Sequence, residues 1–310
     1  MDQAPFAHRP VMLAEIVDLF APVPPGTVVD ATVGGGGHSA ALLEAHDHLR
    51  VLGVDQDPDA LAAAAARLAP FGDRAELRRL RFDRLADLPL DEASGVLFDL
   101  GVSSPQLDRP ERGFSHRFDA PLDMRMDPDA AVSAADVVNG YDEVDLARLL
   151  RTFGDERYAS RIARAVVAAR PIATTARLAD VVRDAIPAPA RRRGGHPARR
   201  TFQAVRIEVN SELEVLPVAL DAALDLLAPG GRCAVLAYHS GEDRIVKERF
   251  RTASTGGCEC PPGLPCTCGA TPTVRLLKRG AWKASAAEIA ENPRAESVRL
   301  RAVEKLAVAA

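Results

Sequence analysis

The sequence predicts an α/β protein: a Rossmann-like, doubly wound and mostly parallel sheet, interrupted by an inserted all-α domain. Three observations predict it. In the first third, short β-type runs alternate with Ala/Leu-rich helical stretches, the pattern of parallel strands joined by crossover helices. From about Asp108 strand-type sequence vanishes and amphipathic periodicity takes over. Strand-type sequence then returns at 232–238, directly after the turn Pro229-Gly230-Gly231.

In order, strands are expected at 27–31, 50–54, 75–81 and 95–100, with helices at 38–45 after a glycine run and at 58–68. The second helix has Pro58 in its first turn and Asp57 as its N-cap. Helices of the insertion are expected at 142–150, 155–169, 175–186 and 201–216, with Gly154 and Pro171 marking breaks. The stretch 188–200, rich in Pro, Gly and Arg, reads as a mobile loop. Strands at 273–277 and 297–303 follow, able to pair as an antiparallel, hairpin-like unit. The expected division is therefore 1–108 with 210–310 as the sheet domain and 109–209 as the helical insertion.

Thirty-nine Lys and Arg against 43 Asp and Glu give a net charge of −4, which excludes a globally basic nucleic-acid coat protein. No run approaches the roughly 18 apolar residues of a membrane span, and the first residues lack a basic region followed by an apolar one. A soluble, cytoplasmic protein is expected. Charge is uneven, however: from Arg148 to Arg200 there are 13 Arg against four acids, a local balance of +9. Its densest piece runs from Arg191 to Arg200 and suits contact with a phosphate backbone, a solvated surface loop being the other reading.

The strongest local feature is Val28-Val29-Asp30-Ala31-Thr32-Val33-Gly34-Gly35-Gly36-Gly37-His38-Ser39, a β-run ending in four glycines ahead of a helix. Glycines there let a ligand approach the backbone closely. Asp55 closes the next strand, 21 residues after Gly34, where a carboxylate can accept hydrogen bonds from ribose hydroxyls. Gly35-Gly36-Gly37-His38-Ser39-Ala40 also fits the loop of nicotinamide dehydrogenases, but Asp30, Asp55 and Asp99 around one crevice would repel a pyrophosphate. S-adenosylmethionine, which has none, needs such acids for its ribose and its cationic end. Each acid can also be read as a turn carboxylate capping a helix.

The fourth strand ends in Phe98-Asp99-Leu100-Gly101-Val102-Ser103-Ser104-Pro105-Gln106-Leu107-Asp108, at the position where amino-methyltransferases place an acid or amide. An exocyclic amine is a poor nucleophile, because its lone pair is delocalised into the ring. Acceptors must draw its nitrogen toward tetrahedral geometry, and Asp99, Ser103 and Ser104 are available.

Taken with Arg112-Gly113-Phe114-Ser115, Pro121-Leu122-Asp123-Met124-Arg125-Met126-Asp127-Pro128, Thr201-Phe202-Gln203-Ala204-Val205-Arg206-Ile207, Val209-Asn210-Ser211-Glu212-Leu213 and the block from His239 to Lys247, these motifs run nearly end to end. In them the chain resembles the bacterial small-subunit rRNA cytosine-N4 methyltransferases, the MraW or RsmH family. Val33 stands where the family usually has Phe, and Gly241 where it often has Leu; neither position supplies a polar group. The resemblance implies a class I methyltransferase fold. It implies methyl transfer from S-adenosyl-L-methionine to N4 of a decoding-centre cytosine in 16S rRNA, on the 30S subunit, with a homodimer allowed. It also implies cofactor contacts at Gly36, Gly37, His38, Asp55, Phe82, Asp99 and Gln106, Phe82 ending the third strand where an aromatic can cover adenine.

Other readings of the chain are an amino-methyltransferase of another RNA or of DNA, a nicotinamide oxidoreductase, and a non-catalytic RNA-binding assembly factor. Gln203, Arg206, Asn210 and Glu214 would share one face of a helix, and His239 to Lys247 open another, with Ser240 and Asp243 at capping-box spacing. Asp123 to Asp127 is expected as a lid over a splayed-out base, Asp123 taking part in catalysis and Phe114 and Phe118 available for stacking. Cys258-Glu259-Cys260 and Cys266-Thr267-Cys268 form two C-x-C pairs, within the chemistry of a zinc site, but the expectation is a plain surface loop with no metal. Cys233 reads as a small buried hydrophobe.

Overall fold

The computed structural model describes residues 10–103, 106, 109–191, 195–261 and 267–307, so Ser104 and Cys266 lie outside the described residues. The chain divides into two compact units, Met1–Gly101 with Leu213–Ala310, and Val102–Glu212.

The first unit opens with α1 (Leu13–Phe20), β1 (Gly26–Asp30), α2 (Gly37–Ala45), β2 (Leu49–Asp55), α3 (Pro58–Leu68), β3 (Ala75–Arg79) and β4 (Ala93–Asp99). The second unit carries α4 (Ala134–Gly140), α5 (Glu143–Gly154), α6 (Ala159–Ala168), α7 (Thr175–Ala185), α8 (Ala188–Arg191) and α9 (Arg199–Val209). Then come α10 (Glu212–Leu226), β5 (Leu227–Ala237), α11 (Ser240–Thr255), β6 (Val274–Leu276), α12 (Ala286–Glu291) and β7 (Arg299–Lys305).

Seven strands form one sheet in the order β3-β2-β1-β4-β5-β7-β6. All neighbours pair in parallel except β7, which runs antiparallel to both β5 and β6. The mostly parallel sheet and its antiparallel last pair are as the sequence predicts. Its central strands β1, β2 and β4 are largely buried on both faces because both faces are covered, whereas β3 at the edge is mostly exposed. In β1, Val28 joins a core with Phe20, Leu97 and Leu300, whereas Val29 joins another with Phe98, Leu220 and Val235. Cys233, wholly buried in the second core, is the small hydrophobe expected.

The sequence places Pro229-Gly230-Gly231 in a turn before the fifth strand. Instead β5 starts at Leu227, which pairs with Ala93, while Gly95 pairs with Arg232, so the Pro-Gly-Gly stretch is absorbed as an irregularity, with Gly230 at φ 79°. β3 stops at Arg79, and Phe82 does not end it but opens a 3-10 turn, Phe82–Asp87.

The second unit has its own core, which includes Met124, Leu146, Leu150, Ile162, Val182 and Phe202. Ser133, Asp142 and Thr174 cap α4, α5 and α7, accepting from the amides of Asp136, Asp145 and Arg177 at 3.3, 2.8 and 3.3 Å. Two expectations need correction here. The helix expected at 155–169 starts only at Ala159, after Asp155 has turned left-handed (φ 51°) to end α5. The single helix expected at 201–216 is two, broken at Ser211, which sits at φ 52°. Part of the expected mobile loop at 188–200 is also ordered: α8 occupies Ala188–Arg191, and Arg191 Nε donates to the Ile186 carbonyl at 2.7 Å. Among the described residues no helix is long and apolar enough to cross a membrane.

Candidate active site

The strand order reverses between β1 and β4, and in such sheets ligands bind beyond the strand C-termini at that point. Asp30, Asp55 and Asp99 end β1, β2 and β4 there. Their environments separate their roles. Asp30 is buried; its Oδ2 accepts from Ser39 Oγ at 2.6 Å and its Oδ1 from the Thr32 amide at 3.3 Å. Burial pushes its carboxyl above the ordinary range, against the hydrogen bond from Ser39 and the nearby His38. The sequence offers Asp30 as a ligand group; the structure shows it fastening the glycine loop to α2.

Asp55 works on the same loop from outside. Its Oδ2 accepts from the Gly34 amide and its Oδ1 from the Asp57 amide, each at 3.0 Å. Burial pushes it up to about 6, although both amides favour its charged form. Gly36 sits at φ 73°, and a Cβ on it would fall 3.3 Å from the Ala64 backbone, so the loop requires glycine at that point. A Cβ on Gly35 would meet nothing within 4 Å. A carboxylate offers about four lone-pair positions. Asp55 thus keeps capacity for two vicinal hydroxyl donors, beside an open backbone.

Asp99 carries the other half of the site. Its amide donates to Thr32 Oγ1 at 2.6 Å, which ties β4 to the end of β1. Tyr238, the residue following β5, donates its phenolic O–H to Asp99 Oδ1 at 2.7 Å. Burial, then the Asp99 charge and this hydrogen bond, raise the Tyr238 phenol well above its ordinary range, so it stays a donor. His38 Nε2 lies 3.4 Å from Asp99 Oδ2, without hydrogen-bond geometry. Both ring nitrogens of His38 are therefore buried with no hydrogen-bond partner among the described residues. An imidazole left so is a position for a ligand's polar atoms. The sequence reading missed Tyr238; its signal is a polar-tipped aromatic at a strand terminus beside the reversal point.

Phe82 is half-buried, its ring edge-on to Phe98 with centroids 6.1 Å apart. It stands at the edge where the Leu80 amide donates to the Asp55 carbonyl at 3.0 Å. The expected capping box of Ser240 with Asp243 forms one residue earlier. His239 Nδ1 accepts from the Glu242 amide, and Glu242 Oε2 accepts from the amides of Tyr238 and His239 at 2.7 and 3.2 Å. His239 and Glu242 thereby build the start of α11 and hold Tyr238 in place.

The remaining expected residues lie in the helical unit. The Ser103 amide donates to Gln106 Oε1 at 2.9 Å, Gln106 is buried, and Ser103 Oγ is buried without a partner among the described residues. Asp123 is gripped by Arg125, whose Nε and Nη2 reach its two oxygens at 3.0 and 2.7 Å while Nη1 donates to the Ala130 carbonyl at 2.8 Å. Burial alone would raise the Asp123 carboxyl, but the hydrogen bonds and charge of Arg125 outweigh it and hold it below the ordinary range. Met124, at φ 59°, is fully buried in the helical core. Asn210 bridges back to the same segment, its Oδ1 accepting from the Met126 amide and its Nδ2 donating to the Met124 carbonyl, both at 2.8 Å. These bonds wire the segment into its unit, where the sequence reading expects a lid.

The polar face expected from Gln203, Arg206, Asn210 and Glu214 does not exist as such. Arg206 pairs with Glu212 at 2.7 and 2.9 Å, Asn210 ends α9, and Glu214 lies on α10.

A family model described as the MraW methylase family matches residues 5–306. The chain belongs to that family. The ribosomal RNA small subunit methyltransferase H of Mycolicibacterium gilvum is 55% identical over 310 residues, covering 96% of this chain and 83% of the relative. That of Symbiobacterium thermophilum is 52% identical, covering 97% of each. A solved rRNA methylase from Streptococcus thermophilus aligns at 14% identity over 99% of each chain, with a TM-score of 0.43. As a member of the MraW methylase family, the chain is a methyltransferase, and its methyl donor is S-adenosylmethionine. The residues at the reversal point fit that donor: carboxylates for hydroxyls and for a cationic end, an open glycine backbone, and an unpartnered imidazole.

Proposed function

We propose that this chain methylates the exocyclic N4 of a decoding-centre cytosine in small-subunit rRNA, with the 30S subunit as its physical substrate and Asp99 as the group that handles the reacting amine. The supporting observation is the Asp99 carboxylate, held by Tyr238 at the sheet's reversal point beside an imidazole whose two nitrogens have no hydrogen-bond partner among the described residues. When bound, S-adenosylmethionine supplies an electrophilic methyl group on a cationic sulfur.

Asp55 binds the ribose hydroxyls, and the Gly34–Gly37 backbone allows close approach. Asp99 accepts an N–H of the target amine, which directs the nitrogen lone pair out of the ring plane. As nitrogen gains the methyl group, its proton passes to an Asp99 oxygen or to solvent. Tyr238 keeps that carboxylate from rotating.

The helical unit docks the RNA backbone. Arg157, Arg161 and Arg199 are exposed and take no carboxylate partner among the described residues, whereas Arg148, Arg164 and Arg183 are paired to Asp145, Glu143 and Asp180. Replacing all three exposed arginines by Ala should raise KM for subunits with little change in kcat, and flatten the salt dependence of binding by up to about 0.9 in slope per lost phosphate contact.

The decisive test is transfer of labelled methyl from S-adenosylmethionine to small subunits lacking the modification, followed by nucleoside analysis. N4-methylcytidine from the wild type, formed far more slowly by Asp99→Ala, is the expected result. Label in a different nucleoside, or transfer undiminished in the variant, rejects the assignment.

A further inference from the structure

The segment joining α11 to β6 takes no part in the function proposed above. α11 ends on Gly256, at φ 64°, where a Cβ would lie 2.5 Å from the Thr271 backbone. Only glycine allows the two arms of the segment to close on each other there. Gly257, at φ 75°, continues the turn, and the Thr273 amide donates to the Ala253 carbonyl at 3.0 Å, fastening the returning arm to the helix. Between Gly256 and Thr273 no described residue is buried. Among its described residues the loop has no apolar core to hold its two arms together.

What gathers in it is sulfur. The Sγ atoms of Cys258, Cys260 and Cys268 all lie within 4.8 Å of one another.

We propose that Cys258, Cys260 and Cys268 bind a structural Zn²⁺ ion that cross-links this loop. Thiolates select a soft, tetrahedral ion over magnesium or calcium. Zn–S bonds of about 2.3 Å place sulfurs roughly 3.8 Å apart, a spacing within the 4.8 Å reach of the cluster. Each thiol releases its proton to solvent as it ligates, and the three thiolates leave one tetrahedral position for a further donor. The ion does for this loop what buried side chains do elsewhere in the chain.

The test is metal analysis of the full chain purified without chelator, together with the triple variant Cys258→Ser, Cys260→Ser, Cys268→Ser. Expected are one zinc per wild-type chain and none in the variant, with S-adenosylmethionine binding by calorimetry unchanged between them. Cobalt alone, added to metal-stripped wild type, should give sulfur-to-metal charge-transfer bands and the intense visible absorption of a tetrahedral thiolate site; this reading stands even if the variant fails to fold. Background zinc after loading, octahedral cobalt spectra, equal zinc in the variant, or a disulfide between two of these cysteines in reducing buffer each overturns the proposal.

Discussion

At Asp123 both carboxylate oxygens are held by Arg125, which spends its last nitrogen on the Ala130 carbonyl; at Asp99 the adjoining imidazole of His38 has no hydrogen-bond partner for either nitrogen among the described residues. Both aspartates stand in polar clusters of a catalytic-looking sequence. The difference lies in what is left over. Hydrogen bonds closed within a unit hold its backbone in place, whereas buried polar atoms left open mark where a ligand must complete the set. On that basis we propose Asp99 for the chemistry and Asp123 for the architecture of its unit.

The sharpest way to break this contrast is to remove each carboxylate. Asp99→Ala should slow single-turnover methylation by about 10²–10³-fold with the fold intact; a rate near wild type would dissolve the distinction. Asp123→Ala should instead leave Arg125 half-buried without its partner and cost about 1–3 kcal/mol of stability, read by denaturant unfolding. A slowed single turnover in a variant of unchanged stability would restore Asp123 to the reaction.

A gentler probe uses pH. Burial holds Asp55 at about 6, so cofactor affinity should fall about tenfold per pH unit below that value as the carboxylate is protonated. Asp55→Asn should bind weakly and without that dependence, which calorimetry across the range would read. The sign for stability is opposite. With its folded value raised, Asp55 favours the unliganded fold fully only below about 3.9, and that contribution is lost as pH rises through about 6. The smallest effect is expected for Tyr238→Phe, which removes one hydrogen bond to Asp99. A loss of about 2–10-fold in kcat, with KM for subunits unchanged, would mark Tyr238 as a positioning residue. A change in KM alone would mean that the phenol only supports packing.

Much of the fold is written locally. Alternation along Val28, Val29 and the strands after them, Asp57 with Pro58 at a helix start, and the late return of strand-type residues are short-range signals, and they lead to the observed elements. What escapes is the result of tertiary demands on the backbone. Ser211 turns left-handed without a glycine to announce it, and Pro229-Gly230-Gly231 punctuates the sequence without interrupting the strand. The candidate site divides in the same way. Asp55 and its glycine loop are 21 residues apart and legible by spacing. Asp30 shows no sign in sequence that Ser39 and Thr32 will consume it, and the bond from Tyr238 to Asp99 spans 139 residues with no periodicity to betray it.

The order of synthesis gives the sheet's topology a further meaning. β4 lies between β1, made before it, and β5, which emerges only after the whole helical unit. A growing chain therefore carries one central strand, buried in the finished fold, with an unsatisfied edge for more than a hundred residues of translation. Until β5 arrives that edge is a template for mispairing, and the carboxylate at its tip lacks the phenol that fixes it. The fixing of that carboxylate and protection from aggregation thus come in the same step, when the last third of the chain docks onto the first.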